Sequence, residues 1–392
     1  MDSTPNDTVV HIYPKATKAA MSDHQLAKEI NFWGETSEED YFNLKGIIGS
    51  KSFFTSPRGL NLFTRSWLPS SSSPPRGLIF MVHGYGNDVS WTFQSTPIFL
   101  AQMGFACFAL DIEGHGRSDG VRAYVPSVDL VVDDIISFFD SIKKNPKFHG
   151  LPRFLFGESM GGAICLLTHF ADPSGFDGAV LVAPMCKISD KVRPKWPIDQ
   201  FLIMISRFLP TWAIVPTEDL LEKSIKVEEK KPIAKRNPMR YGEKPRLGTV
   251  MELLRVTDYL GKKLKDVSIP FIVLHGSADV VTDPEVSREL YQDAKSKDKT
   301  LKIYQGMMHS MLFGEPDDNI EIVRKDICST SNYGFTLEFA QGLVTKSVFT
   351  ISNVAKINRF SEAKFDCRRT NAFDLLQYME TKDSSFEVKM FH

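Results

Sequence analysis

FLFGESMGG, residues 154–162, is the stretch that decides the fold. It joins a short apolar run to the helical run Ala163–Phe170, so Ser159 falls on a strand-to-helix turn. Gly157 and Gly161 suit such a turn because a side chain at either position would clash across it. A GxSxG pattern in this setting is typical of a serine whose hydroxyl projects from the edge of a sheet. A chance match in a Gly-rich loop is the alternative, which the flanking strand and helix disfavour.

Short apolar runs on both sides of this turn predict further strands. They are unbroken rather than alternating, as expected for strands buried on both faces of a parallel sheet. Helical segments such as Val128–Lys143 and Glu285–Ala294 lie between them. Strand–helix alternation of this kind predicts an α/β fold with a mostly parallel, doubly wound sheet. The predicted strands are Leu78–Val82, Phe105–Leu110, Phe154–Phe156, Ala179–Val182, Phe271–Leu274 and Leu301–Tyr304.

Other parts of the chain depart from this alternation. Residues 1–28 are polar and aperiodic, which predicts a loose N-terminal arm. Ser52–Thr55 and Leu60–Trp67 flank a Pro-Arg-Gly turn and predict a β-hairpin. At residues 185–267 the alternation stops, and an insertion of this size predicts a helical cap over the C-terminal ends of the strands, where open α/β sheets bind ligands. The main domain is therefore predicted at residues 29–328.

The predicted serine needs a base, since a serine hydroxyl is a poor nucleophile until a neighbouring group takes its proton. In folds of this kind the acid and then the base follow the serine along the chain. Asp279 lies in the turn after the strand Phe271–Leu274, and His309 follows the next strand. We therefore predict Ser159 as nucleophile, Asp279 as acid and His309 as base.

Two rivals to these residues have simpler interpretations. Asp283 is the nearest alternative acid, but it precedes Pro284 and is typical of a helix N-cap. His275 stands at a strand terminus, where a buried structural role is the better interpretation.

An oxyanion hole is predicted from His83-Gly84-Tyr85-Gly86, which follows the strand Leu78–Val82. Two fixed N–H groups are needed to stabilise the negative charge of a tetrahedral intermediate. We assign them to Tyr85 and to Met160, which directly follows the nucleophile. His83 and Asp88 also match H-x4-D, a pattern associated with acyltransferases, but we interpret His83 as a residue that shapes the loop.

The composition of the chain limits which partners, metal sites and cellular compartments are expected. The net charge of −1 favours neither nucleic acid nor an anionic membrane as a partner. The five cysteines form no CxxC pair, so they predict no zinc site or disulfide framework and fit a reducing compartment. No cofactor and no metal are expected. No signal peptide or run of about 18 apolar residues is evident, which predicts a cytoplasmic protein that is at most peripherally attached to membrane.

The predicted cap contains two runs of contrasting character. Phe201–Val215 is strongly apolar, and it predicts either an acyl channel or membrane-docking surface, or a helix buried against the rest of the cap. Sequence periodicity does not decide between them. Glu218–Arg246 is rich in both charges and is interpreted as a solvated helical face rather than a phosphate site.

Taken together, HGYG, D-x-x-GHGRSDG, GESMGG, HGSAD and G-x-x-H resemble the monoacylglycerol lipase group of α/β hydrolases. The plant branch, which includes caffeoylshikimate esterase and lysophospholipase-like proteins, is the most similar because of Asn31–Gly34, Asn237–Tyr241 and Pro245–Arg255. The resemblance runs from about Asn31 to Cys328. It implies an ester hydrolase that needs no cofactor, and it places the triad on Ser159, Asp279 and His309 and the oxyanion donors on Tyr85 and Met160.

The resemblance ends before the chain does. Ser329–Gly334 interrupts the helix predicted from Ile320, and residues 329–392 are predicted to be an atypical C-terminal tail rather than a second domain. Protease resistance of this tail equal to that of the core would contradict that hypothesis.

For the substrate, the resemblance favours monoacylglycerols or lysolipids, with a phenolic ester such as caffeoylshikimate as the alternative. A non-hydrolytic receptor for a small hydrophobic ligand and acyl transfer to another alcohol remain open.

Overall fold

A computed structural model describes residues 31–187, 198–215 and 219–329. The predicted N-terminal arm, residues 1–28, and the predicted C-terminal tail from residue 330 onward lie outside the described residues.

A sheet of eight strands runs through the described part of the chain. The strands are β1 (Ile47–Thr55), β2 (Asn61–Pro69), β3 (Leu78–Val82), β4 (Ala106–Leu110), β5 (Arg153–Glu158), β6 (Gly178–Val182), β7 (Phe271–Gly276) and β8 (Lys299–Tyr304). Their order in the sheet is β1-β2-β4-β3-β5-β6-β7-β8. β2 is antiparallel to both of its neighbours, and the other neighbouring strands are parallel. The mostly parallel α/β sheet predicted from the sequence is therefore confirmed.

Each predicted strand is present, and several are longer than their apolar runs. β5 extends to Glu158 because Gly157 and Glu158 still pair with Leu181 and Val182 of β6. β8 begins at Lys299, which pairs with Phe271 of β7. Backbone pairing thus carries the strands past the point where apolar side chains stop, which is why composition alone underestimates their length.

The helices follow the predicted alternation. They are α1 (Glu38–Lys45), α2 (Ser95–Gln102), α3 (Val128–Lys143), α4 (Met160–Ala171), α5 (Ile198–Ser206), α6 (Leu220–Ser224), α7 (Lys230–Lys235), α8 (Leu247–Lys263), α9 (Pro284–Asp293) and α10 (Asp317–Ser329). Asp283 is the N-cap of α9, as predicted, and its carboxylate accepts a hydrogen bond from Glu285 N. Ser127 caps α3 in the same way through Leu130 N.

Two apolar layers hold the helices on opposite faces of the sheet. Along β3, Leu78, Phe80 and Val82 pack into the layer that contains α3, α4 and α9. Ile79 and Met81, which point to the other face, pack into the layer that contains α2 and α10. Both sides of this strand are buried, so an unbroken apolar run is what the fold requires. Each such side chain stabilises the folded state by about 1.5–3 kcal/mol through burial.

The segment between β6 and β7 carries α5, α6, α7 and α8, the helical insertion expected over the sheet. Its last helix, α8, joins the insertion to the main domain. Thr249 Oγ1 of α8 accepts a hydrogen bond from Val125 N at 2.9 Å, and Glu252 Oε1 accepts one from Val128 N at 2.7 Å. The Glu252 carboxylate therefore lies at the N-terminus of α3, where a negative charge is favourable. Further along α8, Val256 and Leu260 are buried in the core.

Candidate active site

Ser159 occupies the strained turn between β5 and α4. Its φ and ψ are 55° and −120°, a conformation that costs about 1–3 kcal/mol for a residue with a side chain. Hydrogen bonds hold the turn in place, from Ser159 N to Val182 O at 2.9 Å and from Met185 N to Ser159 O at 3.0 Å. The side chain of Ser159 is half-buried at the edge of the sheet formed by the C-terminal ends of the strands.

The glycines of the turn are required by close backbone contacts. A Cβ at Gly157 would lie 2.4 Å from Gly161 O, and a Cβ at Gly161 would lie 2.1 Å from Val82 O. Both distances are too short for any side chain. The clash expected from the sequence pattern is therefore present at both positions.

Asp279 and His309 meet in the loops that follow β7 and β8. His309 Nδ1 lies 2.6 Å from Asp279 Oδ2, and the Asp279 side chain is fully shielded from solvent. This contact uses Nδ1 of the imidazole, so Nε2 is left for a proton from another group. Ser159 and His309 line the same cavity, and no hydrogen bond joins them among the described residues. Hydrogen bonds between a nucleophile and its base often form or tighten only when substrate binds.

The Asp279 carboxylate is held by several donors at once. Oδ2 also accepts hydrogen bonds from His275 Nε2 at 3.1 Å and from Thr282 Oγ1 at 2.9 Å, while Oδ1 accepts from the backbone of Val281 and Thr282. Burial by itself raises the pKa of Asp279, but the two histidines outweigh it and hold the pKa well below its usual range. Asp279 is therefore ionised at neutral pH.

His275 is fully buried, as expected from the sequence, but it is not remote from the site. Its Nε2 contacts Asp279, and its Nδ1 lies 2.7 Å from Ser287 Oγ of α9. His275 thus fixes the carboxylate that in turn contacts His309. Its position at the end of β7 was the only signal in the sequence that could have indicated this contact.

The loop after β3 approaches the nucleophile closely. A Cβ at Gly84 would lie 3.3 Å from Ser159 Cβ, so a larger residue there would press on the serine. The backbone N–H groups of Tyr85 and Met160 donate no hydrogen bond within the described part of the chain. Tyr85 lines the cavity, whereas the Met160 side chain is buried and leaves only its backbone for contact with a ligand. Both N–H groups are thus free to bind an oxyanion.

His83 shapes this loop and does not line the cavity. It is fully buried, its Nε2 accepts a hydrogen bond from Ile112 N at 3.1 Å, and its Nδ1 contacts Gly84 O at 2.8 Å. Because both ring nitrogens are occupied by backbone groups, His83 cannot act as a catalytic base. This agrees with the structural interpretation of the H-x4-D pattern.

A cavity of about 370 Å³ lies above Ser159, between the sheet edge and the helical insertion. Its volume is that of a site for a small organic molecule. The main domain contributes Gly84, Tyr85, Glu158, Ser159 and His309. The insertion contributes apolar and polar groups together, namely Leu220, Leu221, Ile225, Asp219, Arg240 and Tyr241. In the ranges described, no cluster of three or more His, Cys, Asp or Glu side chains could hold a metal ion.

A protein-family model matches more than half of the chain. It is described as "Serine aminopeptidase, S33" (Hydrolase_4), and the match covers residues 73–317. The chain belongs to this family of α/β hydrolases.

Relatives within the hydrolases are similar over most of the described region. Caffeoylshikimate esterase of Arabidopsis thaliana is 43% identical over 298 residues, which cover 76% of this chain and 89% of that protein. Human monoglyceride lipase is 34% identical over 253 residues, 64% of this chain and 80% of that protein. A crystal structure of a soluble variant of monoglyceride lipase from Saccharomyces cerevisiae, in complex with a substrate analogue, has a TM-score of 0.62 at 22% identity. It covers 71% of this chain and 92% of that one, and it shows the likeness of fold.

These findings confirm the resemblance to the monoacylglycerol lipase group and the α/β-hydrolase fold. They also confirm the class of enzyme predicted from the sequence, a carboxylic ester hydrolase. The family description names a peptidase, whereas both relatives are named for ester cleavage. Ester and peptide hydrolysis share the attack of serine on an acyl carbon, so the two descriptions are compatible.

Two residues of this hydrolase site were not predicted. Glu315 is fully buried and accepts hydrogen bonds from Met308 N at 2.7 Å and from Asn319 Nδ2 at 3.0 Å, and so anchors the loop that carries His309. Glu158 precedes the nucleophile and lines the cavity. Burial raises the pKa of Glu158 to about 7, although the nearby His309 opposes the shift. The one signal in the sequence for Glu158 was its place at the variable position before the serine in GxSxG.

Glu158→Gln is expected to stabilise the protein at pH 8 and not at pH 4. The pKa of Glu158 lies at about 7 in the folded hydrolase against an ordinary 4.5, so between these values the folded state holds a proton that the unfolded chain has lost. The free energy of unfolding of the wild type therefore falls as the pH rises through this window. The glutamine variant lacks this titration, so above pH 7 its free energy of unfolding should exceed that of the wild type by about 1–3 kcal/mol. Thermal or denaturant unfolding across the pH range measures the difference.

The exposed substitution Glu35→Gln serves as the control because Glu35 lies outside the helices, and it should change stability little. A Glu158→Gln effect that is the same at pH 4 and pH 8 would show that the carboxyl does not titrate in this window.

Proposed function

We propose that the protein hydrolyses carboxylic esters with Ser159 as nucleophile, His309 as general base and Asp279 as the acid that orients His309. The observation that carries the proposal is the 2.6 Å contact between His309 Nδ1 and Asp279 Oδ2, beside a serine held on a strained turn in the same cavity. The order Ser, Asp, His along the chain is the order of this fold.

The reaction is a double displacement. His309 Nε2 takes the proton of Ser159 Oγ as the oxygen attacks the ester carbonyl, and the tetrahedral intermediate collapses when His309 returns the proton to the departing alcohol. A water molecule then attacks the acyl-enzyme, again with His309 as base, and releases the acid. Asp279 keeps the proton of the neutral imidazole on Nδ1 and stabilises the imidazolium that forms in each half-reaction.

Tyr85 N–H and Met160 N–H are the proposed oxyanion donors. Neither donates a hydrogen bond within the described residues, so each can bind the developing charge without breaking another contact. Met160 N–H also belongs to the first turn of α4, where the helix dipole favours negative charge. Donors fixed in advance avoid reorganisation during the reaction and often contribute the largest catalytic effect.

Monoacylglycerols and lysolipids are the first proposed substrates, with caffeoylshikimate as the second. The 34% identity to human monoglyceride lipase supports the first class, and the 43% identity to the Arabidopsis esterase supports the second. Both classes have an alcohol part that carries polar groups. The cavity offers matching polar side chains beside its apolar ones, including Asn87 and the ion pair between Arg240 and Asp219 at 3.1 Å.

The test compares turnover of monooleoylglycerol, lysophosphatidylcholine and caffeoylshikimate under one set of conditions. A preference of at least roughly tenfold in kcat/KM for one of them, about 1.4 kcal/mol in transition-state stabilisation, identifies the substrate class. An acceptor alcohol added to the same reaction separates hydrolysis from acyl transfer, because transfer yields a new ester. Folded protein that is labelled by a fluorophosphonate but cleaves none of the three would exclude these substrates. Folded protein that resists the label would support a receptor instead.

Peripheral membrane contact is proposed through the exposed apolar side chains of the insertion. Phe208 is 78% exposed, Trp212 52% and Met204 53%, and they lie together in the chain. This exposure favours the docking-surface interpretation of the apolar run over a buried helix. Within the described ranges, no helix is long and apolar enough to cross a bilayer.

The four cysteines of the described region are free and buried, which supports a reducing compartment such as the cytoplasm.

Binding to phosphatidylcholine vesicles tests the membrane proposal. Phe208→Glu and Trp212→Glu together should reduce the vesicle-bound fraction several-fold, because charged side chains are unfavourable in the apolar part of a bilayer. Phe53→Glu is the matched control, since Phe53 is 58% exposed on β1. An equal loss of vesicle binding in the double variant and in Phe53→Glu would contradict docking through the insertion. No vesicle binding by the wild type would contradict it as well.

A further inference from the structure

The loop that carries the proposed oxyanion donor Tyr85 is bound to the insertion by three hydrogen bonds. Tyr241 N donates to Gly86 O at 2.9 Å, Trp91 Nε1 donates to Ile233 O at 2.6 Å, and Asn237 Nδ2 donates to Asp88 Oδ2 at 2.6 Å. We call residues 233–241 the cap strap. The third of these contacts joins two side chains that are both buried, and it spans 149 positions of sequence.

The other hydrogen bonds of Asp88 and Asn237 fix which atoms of the two side chains face each other. Asp88 Oδ1 accepts hydrogen bonds from Ser90 N, at 2.8 Å, and from Ser90 Oγ, so only Oδ2 faces Asn237. Asn237 Oδ1 in turn accepts from Met239 N at 3.0 Å, so only its amide NH₂ faces Asp88. With the amide NH₂ opposite a carboxylate oxygen, each of these donors and acceptors has a hydrogen-bond partner.

The loop is held on two sides. Tyr85 stands between Gly84 and Gly86, which restrict the backbone less than other residues do, so contacts of the loop with its surroundings fix the position of Tyr85 N–H. On the side of the main domain, Val89 N donates to Asp111 Oδ1 at 2.7 Å, His83 Nδ1 contacts Gly84 O at 2.8 Å and Tyr85 Oη donates to Ala123 O at 3.2 Å. On the other side the cap strap is its support, and Gly86 lies so near that a Cβ there would be 3.3 Å from Tyr241 O.

We propose that Asp88 and Asn237 form a positioning pair that holds Tyr85 N–H at the oxyanion through the cap strap. The inference rests on the proposed function, and it assigns the insertion a part in the chemical step in addition to enclosing the substrate. Neither residue touches the reacting atoms. Loss of the pair should therefore lower kcat, because a misplaced donor stabilises the transition state less, and should change KM little.

The pair can be tested by exchanging its two members. In Asp88→Asn an NH₂ group meets the NH₂ of Asn237, and in Asn237→Asp two carboxylates meet, so each single variant loses the contact. In the double variant D88N/N237D, the amide oxygen at position 88 again accepts from Ser90, and the amide NH₂ there donates to the carboxylate at position 237. The second oxygen of that carboxylate accepts from Met239 N. Every hydrogen bond of the wild type is then restored, with the contact between the two positions reversed in direction.

Kinetics with 4-nitrophenyl butyrate, normalised to active sites titrated by a fluorophosphonate, give the readout. Each single variant should lose roughly 10- to 100-fold in kcat, less than the loss for a deleted oxyanion donor, with KM within about threefold. The double variant should return to within about threefold of the wild type, because the donors and acceptors again match. A trifluoromethyl ketone inhibitor, which forms an oxyanion on Ser159, should bind more weakly by the same factor by which kcat falls.

A control variant separates this role from general attachment of the insertion. Arg255 Nη2 of α8 donates to Asp129 Oδ2 of α3 at 2.8 Å, so it joins the insertion to the main domain away from the cap strap. Arg255→Gln should leave kcat unchanged. Should a single variant fail to fold, Trp91→Phe removes the hydrogen bond to Ile233 O together with part of a buried ring, and it should lower kcat several-fold.

The outcomes are distinct. Single variants with a lower melting temperature but wild-type kcat per titrated site would overturn the proposal and reduce the pair to a structural contact. A folded double variant with no recovery of kcat would overturn it as well, as would an unchanged kcat in Trp91→Phe. A wild-type protein that neither turns over the ester nor reacts with the fluorophosphonate would instead contradict the proposed function itself.

Discussion

Ser159→Ala is expected to lower kcat for ester hydrolysis by roughly 10⁵- to 10⁶-fold. Alanine keeps the size of the turn but removes the only group that can form the acyl-enzyme, and a triad without its nucleophile loses nearly all of its advantage. Alanine at a φ of 55° retains the strain of the turn, so the variant should fold like the wild type. Circular dichroism and the melting temperature check the fold, and initial rates with 4-nitrophenyl butyrate check the activity.

Ser141→Ala is the matched control for this prediction. Ser141 lies on α3, where its Oγ donates to Phe138 O at 2.6 Å, away from the cavity. Its variant should keep wild-type kcat and full reaction with a fluorophosphonate. Retention of more than about one hundredth of the wild-type activity in Ser159→Ala would mean that another residue performs the attack, since removal of a triad nucleophile costs far more.

Asp279→Asn should lower kcat by roughly 10⁴-fold while substrate binding stays nearly unchanged. The amide has the shape of the carboxylate but places donors opposite donors. His309 Nδ1–H, His275 Nε2–H and the Thr282 hydroxyl all meet Oδ2 in the wild type, and an NH₂ group there cannot accept from any of them. His309 is then turned or held in the wrong tautomer, so it no longer takes the serine proton.

The same substitution should change the pH dependence of stability. Because the folded protein holds the pKa of Asp279 below its usual range, this carboxylate stabilises the fold above the ordinary pKa of about 4, and that contribution is lost as the pH falls toward the lowered folded value. Asp279→Asn should therefore be less stable than the wild type at pH 7. The difference should narrow toward pH 2, and unfolding curves at several pH values measure it.

Asp283→Asn is the control, because Asp283 lies four positions away and caps α9. Asparagine is as good an N-cap as aspartate, so both kcat and stability should stay near the wild type. A loss of kcat in Asp283→Asn that equals the loss in Asp279→Asn would show that the acid had been assigned to the wrong residue.

The turn at Ser159 was the most predictable part of the molecule. It is a local feature, in which Gly157 and Gly161 are fixed by backbone contacts that no other residue tolerates. The central strands were equally accessible to prediction, since burial on both faces requires unbroken apolar runs such as Leu78–Val82. Asp279 and His309 followed from their places at the ends of consecutive strands.

The insertion was much less predictable from sequence. Its charged run was interpreted as a solvated face, and Asp219, Glu243 and Lys244 are indeed exposed. The sequence did not indicate that these three residues and Arg240 also line the cavity. Their neighbours come from distant parts of the chain, and α6 and α7 have only five and six residues, too few for a clear periodicity. The Asp88–Asn237 contact was out of reach for the same reason, because nothing local distinguishes Asn237 from any other polar loop residue.

Glu158 and Glu315 illustrate a second limit on what could be predicted from the sequence. Glutamate is rarely buried, so a sequence offers no reason to place either residue inside the protein. In the fold, Glu315 is buried with donors from Met308 and Asn319, and Glu158 faces the cavity beside His309. The consequences for pH dependence become visible only when these neighbours are known.

Pre-steady-state hydrolysis of 4-nitrophenyl butyrate, quenched in acid and followed by peptide mass spectrometry, tests the central claim most directly. The proposed mechanism predicts a burst of one equivalent of nitrophenol per active site, with a butyryl group on the peptide that contains Ser159. The burst should be absent in Ser159→Ala and present in Ser141→Ala. Turnover without a burst and without modification of that peptide, or a butyryl group on another residue, would contradict the assignment of Ser159 as the nucleophile.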